Sequence, residues 1–388
     1  MAISSQIACL AFGLLATVRA AIVVQSATCT AKTAAEVPEM VKTCTDIVLS
    51  SIVFPAVVLK PALVLDLQPG TTVTFEGKTV FTPNSFTNPA IKADGGVPPP
   101  WWLVEIIGTN VKIIGAPGNT IHGNGQAYWD GVGGNKGRKV NKPKFFKFNL
   151  KSSLVSGLNV VNTPQHTFSI GGTSNTTFDK ISLDNKAGER PCSGGGKDSG
   201  GKSCGHNTDA FNVGGSSNVI ISNAHIVNQD DCLALNSGTN ITFTGGTCIG
   251  GHGISIGSIK TGNTVNGALI SDSKIIDSAN GVRIKTYDDA TDAEVSNVKY
   301  SKITLSGITK YGVVIQQDYR NDGPTGKAGN GCKIRGLTLE DVKGSSKGTA
   351  VYINCGSGSC TNWSWTRVNV SGKKGGCKNP PSVAASHC

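Results

Sequence analysis

The sequence VIISNAHIVNQDDCLALNSGTNITF, residues 219–243, contains the repeat from which the fold is predicted. It opens with the β-rich run Val219–Ile221 and has a second such run at His225–Val227. A third run, Ile241–Phe243, resembles the first in its β-branched and aromatic residues. Short β-branched runs separated by Asn, Ser and Gly are typical of strands with tight corners. The return of a similar run after about 22 residues indicates a coil that stacks on itself.

The same spacing recurs earlier, since Leu154 and Thr176 begin two further runs that are separated by the same interval. Long helical periodicity is missing from the chain. One coil cannot bury its own apolar face, so neighbouring coils must stack to make a continuous core. We therefore predict an all-β fold, a single-domain parallel β-helix. A short helix over Ala31–Thr43 is expected to cap its N-terminal end, where the edge of the first coil must be covered.

A β-sandwich built from hairpins is the alternative fold. It would need Asn-Gly or Asp-Gly turns every 8–12 residues or so. Asn124-Gly125 and Asn280-Gly281 occur, but such pairs do not recur regularly. The sequence thus favours the β-helix.

Composition restricts the class of protein. Of 388 residues, 16% are charged and 38% hydrophobic, which is typical of neither a disordered chain nor a membrane-embedded one. The formal net charge of +11 indicates a negatively charged partner, and nucleic acid and an acidic polysaccharide both have that sign. Nucleic acid is the less favoured partner, because the aromatic-basic interleaving of the usual nucleic-acid modules is missing.

Residues 1–20 have the pattern of a secretory signal peptide. Ile7–Val18 forms an apolar core, and Val18-Arg19-Ala20 offers small residues for cleavage. The apolar run is too short to span a bilayer. We therefore expect a secreted, extracellular protein with no membrane association after cleavage, whose residues 21–388 form one catalytic domain.

Cysteine use agrees with secretion. Of 12 cysteines, Cys9 would leave with the signal peptide and Cys332 is expected as a buried free thiol. Cysteines that are close in sequence suggest five disulfides: Cys29–Cys44, Cys192–Cys204, Cys232–Cys248, Cys355–Cys360 and Cys377–Cys388. Because none of these pairs has zinc-ligand spacing with histidines, no metal site is expected. Candidate glycosylation sites are Asn175, Asn240, Asn362 and Asn369, each of which opens an Asn-x-Ser/Thr sequon.

The spacing of three polar residues points to the chemistry. Asp209, Asp230 and His252 follow one another at intervals close to one coil, so a backbone that winds with this period would place all three on one face. Asp231 adds a third carboxyl. Carboxylates this close cannot all stay ionised, so the pKa of one is expected to be raised. A protonated carboxyl can protonate a leaving oxygen while ionised neighbours activate water, which is the logic of glycoside hydrolysis.

Further residues could bind the substrate. Arg283 and Lys285 alternate on a predicted strand, so both side chains point the same way and could bind a carboxylated sugar. Tyr319 could contact the sugar, and Asn207 either supports the site or belongs to an asparagine ladder. The basic residues Lys136, Arg138, Lys139, Lys142 and Lys144 form either a solvated loop or a surface for a polyanion. The remaining histidines are interpreted as structural or surface residues, namely His122, His166, His206, His225 and His387.

Taken together, these motifs resemble the polygalacturonases of glycoside hydrolase family 28. The resemblance covers most of the mature chain and is carried by residues 123–130 (GNGQAYWD), Asn207-Thr208-Asp209, residues 228–232 (NQDDC), residues 251–258 (GHGISIGS), Arg283-Ile284-Lys285, and residues 316–326 (QQDYRNDGPTG). The last string and the disulfide spacings are most similar to those of the secreted endo-acting enzymes.

The resemblance implies a right-handed parallel β-helix and hydrolysis of α-1,4 bonds in de-esterified pectin with inversion. It also implies a monomer that needs no cofactor and acts on an acidic polysaccharide. Asp230 would be the general acid, Asp209 and Asp231 would hold and deprotonate water, and His252 would tune the protonation of the acid. Arg283, Lys285 and Tyr319 would bind galacturonate around the scissile bond, with Asn207 in support. A carboxylate pair about 5 Å apart would instead indicate retention, and we follow the resemblance.

One position departs from the family pattern: Ala210 stands where family members usually carry Gly, and its methyl group could crowd the substrate. Several functions stay open as alternatives. They are an exo-polygalacturonase, a rhamnogalacturonan hydrolase, a calcium-dependent lyase on a similar coil, and a pectin-binding relative without activity.

Overall fold

The computed structural model describes residues 28–84, 101–134, 142–190, 192 and 203–388. Strands of the N-terminal half are β1 (Thr28–Ala31), β2 (Asp46–Ser50), β3 (Val53–Phe54), β4 (Leu63–Leu67), β5 (Thr72–Glu76), β6 (Lys78–Phe81), β7 (Trp102–Thr109), β8 (Lys112–Gly115), β9 (Thr120–His122), β10 (Lys144–Lys151), β11 (Leu154–Ser156), β12 (Asn159–Val161), β13 (Phe168–Gly171), β14 (Ser174–Asp179), β15 (Ser182–Asp184) and β16 (Phe211–Gly214).

Strands of the C-terminal half are β17 (Ser216–Ser222), β18 (His225–Asn228), β19 (Leu233–Leu235), β20 (Gly238–Thr244), β21 (Thr247–Gly250), β22 (Ile254–Ile259), β23 (Thr264–Ile276), β24 (Asn280–Tyr287), β25 (Ala293–Ile308), β26 (Tyr311–Tyr319), β27 (Cys332–Arg335), β28 (Thr338–Asn354), β29 (Cys360–Thr361), β30 (Ser364–Thr366), β31 (Asn369–Lys373) and β32 (Cys377–Lys378). Helical segments are α1 (Val37–Thr43), α2 (Ser382–Ala385) and the 3-10 turns Gly125–Ala127 and Lys186–Glu189.

All the strand pairings are parallel, and each strand pairs with the equivalent strand of the next coil, which makes three stacks. The first stack runs β4, β7, β10, β13, β16, β19, β22, β24, β26, the last part of β28, and ends on β32. The second stack runs β1, β2, β5, β8, β11, β14, β17, β20, and the third runs β3, β6, β9, β12, β15, β18, β21. The long strands β23, β25 and β28 turn the corner and belong to both the second and third stacks. This is the predicted parallel β-helix.

The core is built from identical positions of successive coils. In the first stack the register aligns Val213, Leu235, Ile256, Ile284 and Ile315, all of them fully buried. The neighbouring column contains stacked rings, listed here with their centroid separations: Phe146 on Phe168 at 5.5 Å, and Phe168 on Phe211 at 5.1 Å. Each such side chain contributes about 1.5–3 kcal/mol by burial. Columns of this kind hold the coils in register. They therefore determine which side chains of successive coils lie next to one another on the outer surface.

The N-terminal end is covered by a helix, as predicted, but with different bounds. Ala31 belongs to β1, and α1 begins only at Val37, with Pro38 in its first turn, where a missing N–H costs nothing. Val37 and Val41 bury their side chains in the core. The Cys29–Cys44 disulfide joins β1 to the end of this helix.

Asparagines at the corners between strands form a ladder. Asn175, Asn218 and Asn240 all have a left-handed backbone, with φ of 49°, 53° and 54°. Asparagine tolerates this conformation better than most residues. Asn218 donates to Asn175 at 2.9 Å and Asn240 donates to Asn218 at 3.1 Å. The ladder lies on the exposed surface and Asn207 is not part of it.

The five predicted disulfides are all present. Cys332 is buried with a free thiol, as expected, and burial is the main cause that raises its pKa to about 12. The asparagines of the four sequons are exposed. None of the helices in the described ranges is long and apolar enough to cross a membrane. The predicted signal peptide, and Lys136, Arg138 and Lys139, lie outside the described residues.

Candidate active site

The three aspartates and the histidine singled out in the sequence lie just before strands of the first stack. The register pairs Phe211 with Leu233 and Leu233 with Ile254. Continued by two residues, it places Asp209, Asp231 and His252 on successive coils, with Asp230 one residue before Asp231. The predicted column therefore needs one correction: its middle member is Asp231 rather than Asp230. Equal spacing in sequence could not resolve a shift of one residue.

A glycine allows the coil of His252 to approach Asp230. Gly251 has φ of +64°, and a Cβ atom there would collide with the carbonyl oxygen of Asp230. Because glycine has no Cβ atom, the chain can approach closely enough for the backbone N–H of His252 to donate to that same oxygen at 3.0 Å.

Asp230 is held by two side chains. His252 Nδ1 lies 2.9 Å from its Oδ1, and Asn207 Nδ2 donates to its Oδ2 at 3.1 Å. Burial raises the pKa of Asp230, but the charge and hydrogen bond of His252, with the charges of His206 and Lys285, outweigh it and hold the pKa well below its ordinary value. Burial lowers the pKa of His252, whereas the charge and hydrogen bond of Asp230 dominate and leave it raised. The two residues thus form an ion pair.

Asp231 is the most deeply buried carboxylate of the three, at 1% exposure. Lys285 Nζ donates to its Oδ2 at 2.6 Å and Ser255 Oγ donates to its Oδ1 at 2.7 Å, while Arg283 lies 3.5 Å away. Burial lowers the pKa of Lys285, but the charge of Asp231 outweighs it, so the net shift is upward. Asp231 is therefore surrounded by two cations and one hydroxyl donor in a buried position.

Asp209 is the carboxyl whose pKa is raised. Burial is the main cause, and the charges of Asp230 and Asp231 add to it, while a 2.9 Å hydrogen bond from Asn212 opposes it. Its other oxygen lies 3.4 Å from Nε2 of His166. Burial and the charge of Lys144 lower the pKa of His166 to about 3, so that imidazole is neutral. Asp209 is therefore the carboxyl with the raised pKa that the sequence led us to expect.

The substrate-binding candidates lie beside these carboxyls. Arg283 and Lys285 project from β24 on one face, as predicted. The ring of Tyr319, at the end of β26, has the guanidinium of Arg283 at 5.4 Å and the ammonium of Lys285 at 5.1 Å from its centroid. A second ring, Tyr287, contacts Tyr319 at 5.7 Å. The structure thus brings all eight predicted site residues together.

Sequence reasoning missed other residues of the site. His166, interpreted as structural or surface, contacts Asp209, and His206 is buried and close enough for its charge to act on Asp230. Ser255 and Asn212 bind the carboxyls directly. The pairing of Phe168 with Phe211 places His166 one coil before Asp209. Knowledge of this strand register would have identified His166 as a neighbour of Asp209.

The other assignments are simpler. His122 hydrogen-bonds with Asn124 and Asn162, His225 is exposed, and His387 packs on Trp365. Ala210 is fully buried in the hydrophobic core, so its methyl group does not crowd the substrate. Lys142 is buried and paired with Asp130, whereas Lys144 is only partly buried.

A metal ion could find ligands here. Asp230, Asp231 and His252 offer ligand atoms within 4.8 Å of one another. Their present partners are of another kind, because Lys285 and Arg283 already bring positive charge to Asp231, and His252 binds Asp230. The arrangement therefore suits proton transfer with the side chains alone: one carboxyl favours its proton, one carboxylate is paired with cations, and a third shares a hydrogen bond with an imidazole.

Comparisons with known proteins agree with this chemistry. The chain matches the family described as "Glycosyl hydrolases family 28" over residues 44–387. It is 47% identical to endopolygalacturonase 1 of Colletotrichum lindemuthianum, covering 93% of both chains, and 45% identical to a polygalacturonase of Cochliobolus carbonum, covering 92% of both.

Solved structures give the same result. Endopolygalacturonase I of Stereum purpureum, complexed with two galacturonates, matches with a TM-score of 0.70 and 34% identity over 90% of this chain and 96% of that one. A polygalacturonase of Erwinia carotovora matches in fold, with a TM-score of 0.66 at 20% identity over 92% and 96% of the two chains. The predicted right-handed parallel β-helix and the resemblance to polygalacturonases are thereby confirmed, and the chain belongs to the glycosyl hydrolases family 28.

Proposed function

We propose that this chain is a secreted endo-polygalacturonase that hydrolyses α-1,4-galacturonosidic bonds of de-esterified pectin with inversion. The observation that carries the proposal is the group of three buried carboxyls next to Arg283 and Lys285. Carboxyls supply the acid and the base of glycoside hydrolysis, and the cations match the carboxylate of each galacturonate unit.

Asp230 is proposed as the general acid. Its pKa is low before substrate binds, so it must receive a proton on binding. His252 can supply that proton across the 2.9 Å hydrogen bond. A galacturonate carboxylate that engages Arg283 and Lys285 adds negative charge nearby, which favours the neutral form of Asp230. The proton then passes to the leaving glycosidic oxygen.

Asp209 and Asp231 are proposed to hold the attacking water. Asp231 is bound by Lys285 and can accept a hydrogen bond from water. Asp209 retains its proton more readily, so it can orient the water by donating a hydrogen bond to it. As this water attacks the anomeric carbon, its proton passes to Asp231 and the bond to the leaving oxygen, protonated by Asp230, breaks. No covalent sugar intermediate forms, which gives inversion.

Further parts of the proposal concern the whole chain. Residues 1–20 act as a signal peptide, and residues 21–388 form one catalytic domain that works as a monomer. The five disulfides suit an oxidising extracellular compartment. Asn175, Asn240, Asn362 and Asn369 are exposed acceptors for glycans.

The test is to incubate the purified protein with polygalacturonate and size the products over time. Mixed oligomers at early times are expected from endo action, and monomer or dimer alone would show exo action. A parallel digest of rhamnogalacturonan tests the other hydrolase. Full activity in a chelator is expected, whereas unsaturated products lost in chelator would identify a calcium-dependent lyase. Binding without new reducing ends would leave only a pectin-binding protein.

A further inference from the structure

A tryptophan and two lysines lie on the first stack, on coils that precede the carboxyls. Trp102 on β7 pairs in register with Lys144 on β10. From there β10 pairs with β13, and β13 with β16, the strand that follows Asp209. At roughly 4.8 Å per coil, Trp102 and Lys144 begin about 14 and 10 Å from the coil of Asp209. Arg283 and Lys285 lie on the other side, on a later coil.

The indole of Trp102 extends over the outer face of the next two coils. Its Nε1 donates to Ser169 Oγ on β13 at 2.9 Å. Ser169 pairs in register with Asn212, which donates to Asp209. The indole therefore lies on the same outer surface as the carboxyls and reaches to within one coil of Asn212.

Two ammonium groups are held against this indole. Lys147 Nζ lies 4.8 Å and Lys144 Nζ lies 5.4 Å from the ring centroid, both within the range of a cation–π contact. Lys147 also contacts Glu105 at 3.4 Å. For Lys144, the described part of the chain supplies no carboxylate within ion-pair distance of the ammonium, although the side chain is partly buried.

Among the described residues, Lys144 is thus a cation without a carboxylate in ion-pair contact, in a partly desolvated position. Burial lowers its pKa and the charge of Asp209 raises it, with burial the larger effect. Such a position is costly unless an anion approaches, because burial disfavours an unpaired charge. A carboxylate on a polymer that crosses this surface would supply the missing partner.

We propose that Trp102, Lys144 and Lys147 form a distal subsite that binds the carboxylate of a galacturonate unit, on the side of the catalytic carboxyls opposite Arg283 and Lys285. The proposal rests on the proposed function. Trp102 positions the two ammonium groups, and the lysines bind the sugar carboxylate. Because the subsite lies two to three coils from the coil of Asp209, only a substrate longer than the sugars flanking the scissile bond can reach it.

The test compares Trp102→Ala, Trp102→Phe and Lys144→Gln with the unchanged protein on galacturonate oligomers of increasing length and on polygalacturonate. The control is Lys112→Gln, because Lys112 is an exposed lysine on β8 of the second stack. For Trp102→Ala and Lys144→Gln, we expect kcat/KM on the polymer to fall about tenfold, equivalent to about 1.4 kcal/mol. The loss should shrink as the oligomer shortens, and Trp102→Phe should keep most of the preference for long chains.

A second readout separates this proposal from the proposed function. Electrophoresis in gels containing polygalacturonate measures binding without turnover, with near-ultraviolet circular dichroism as a check of folding. Loss of retardation in both Trp102→Ala and Lys144→Gln, but not in Lys112→Gln, supports the subsite. If the unchanged protein binds through Trp102 but makes no reducing ends, the proposed function fails and the subsite stands. If the protein hydrolyses the polymer, and both folded variants lose nothing or lose equally at every chain length, the subsite is wrong.

Discussion

His252 Nδ1 lies 2.9 Å from Oδ1 of Asp230, although the two residues belong to successive coils of the helix. This contact connects the fold with the chemistry, because it exists only if the backbone returns to the same place after one turn. The imidazole and the carboxylate each stabilise the charge of the other, so the pair carries a proton that the leaving group of a sugar could receive.

The contact predicts the alkaline side of the pH profile. The pKa of His252 is raised above 6.5, so His252 is charged below that raised value and neutral above it. We expect kcat/KM to fall as the pH rises through the raised pKa, and His252→Gln to remove that limb while lowering activity by about 10²-fold or more. The stability that the raised pKa of His252 contributes to folding should be complete below the unfolded pKa of about 6.5, and should be lost as the pH rises from there through the raised pKa of the folded state. A His252→Gln profile that keeps the alkaline limb would contradict this role.

Replacing the proposed acid should remove turnover without unfolding the protein. Asp230→Asn keeps the shape of the side chain but cannot donate an acidic proton, so kcat is expected to fall by about 10²–10⁴-fold. The matched control is Asp66→Asn, because Asp66 is an exposed aspartate on β4 of the same stack, five coils earlier. Reducing-end assays measure activity, and thermal unfolding checks the fold. Equal activity in the two variants would refute the assignment.

The raised pKa of Asp209 should lower the free energy of unfolding at neutral pH. Its folded pKa is raised, so the folded state resists ionisation that the unfolded chain undergoes above about 3.8. The cost therefore grows as the pH rises from that value towards the folded pKa, and stays constant beyond it. Asp209→Asn is expected to raise Tm more at pH 7 than at pH 4, while activity is lost. A Tm difference that does not change with pH would contradict the raised pKa.

Substitutions of Lys285 and Asp231 should have non-additive effects on the free energy of unfolding. Lys285→Met leaves a carboxylate buried at 1% exposure with Arg283 as the remaining ion-pair partner, so it should cost on the order of 3 kcal/mol. Asp231→Asn in the same chain removes the stranded charge and should restore much of that loss. A double-mutant cycle by chemical denaturation measures the coupling. Additive single effects would mean that the two groups do not interact.

Substrate binding should weaken as salt is added. The chain carries a formal net charge of +11, and polygalacturonate is a polyanion. The Debye length falls from about 10 Å at 0.1 M to about 3 Å at 1 M ionic strength, so KM should rise over that range. A KM indifferent to ionic strength would argue against a basic cleft.

The sequence carries much of the fold because apolar runs and corner residues repeat with the coil. It also carries the eight site residues, since each lies in a short motif close to the start or end of a strand. It misses His166 for a physical reason. The loop after β15 lengthens one coil, so His166 and Asp209 are separated in sequence by nearly twice the usual interval, although their coils are adjacent. A search for one fixed period cannot find such neighbours.

The sequence also could not assign the proton. The spacing predicted that the pKa of one carboxyl would be raised. Which of the three aspartates this is depends on the side chains that surround each carboxyl. Asp230 faces His252, Asp231 faces Lys285, and Asp209 faces the neutral His166, so the proton is retained most readily on Asp209. Only contacts between coils distinguish the three.

The most direct test of the account is the formation of reducing ends from polygalacturonate by the unchanged protein and by Asp230→Asn, side by side. If Asp230 is the general acid, the unchanged protein releases mixed oligomers steadily and Asp230→Asn releases almost none, with both proteins folded. Release of the same products at the same rate by both proteins, or none by either, would contradict it.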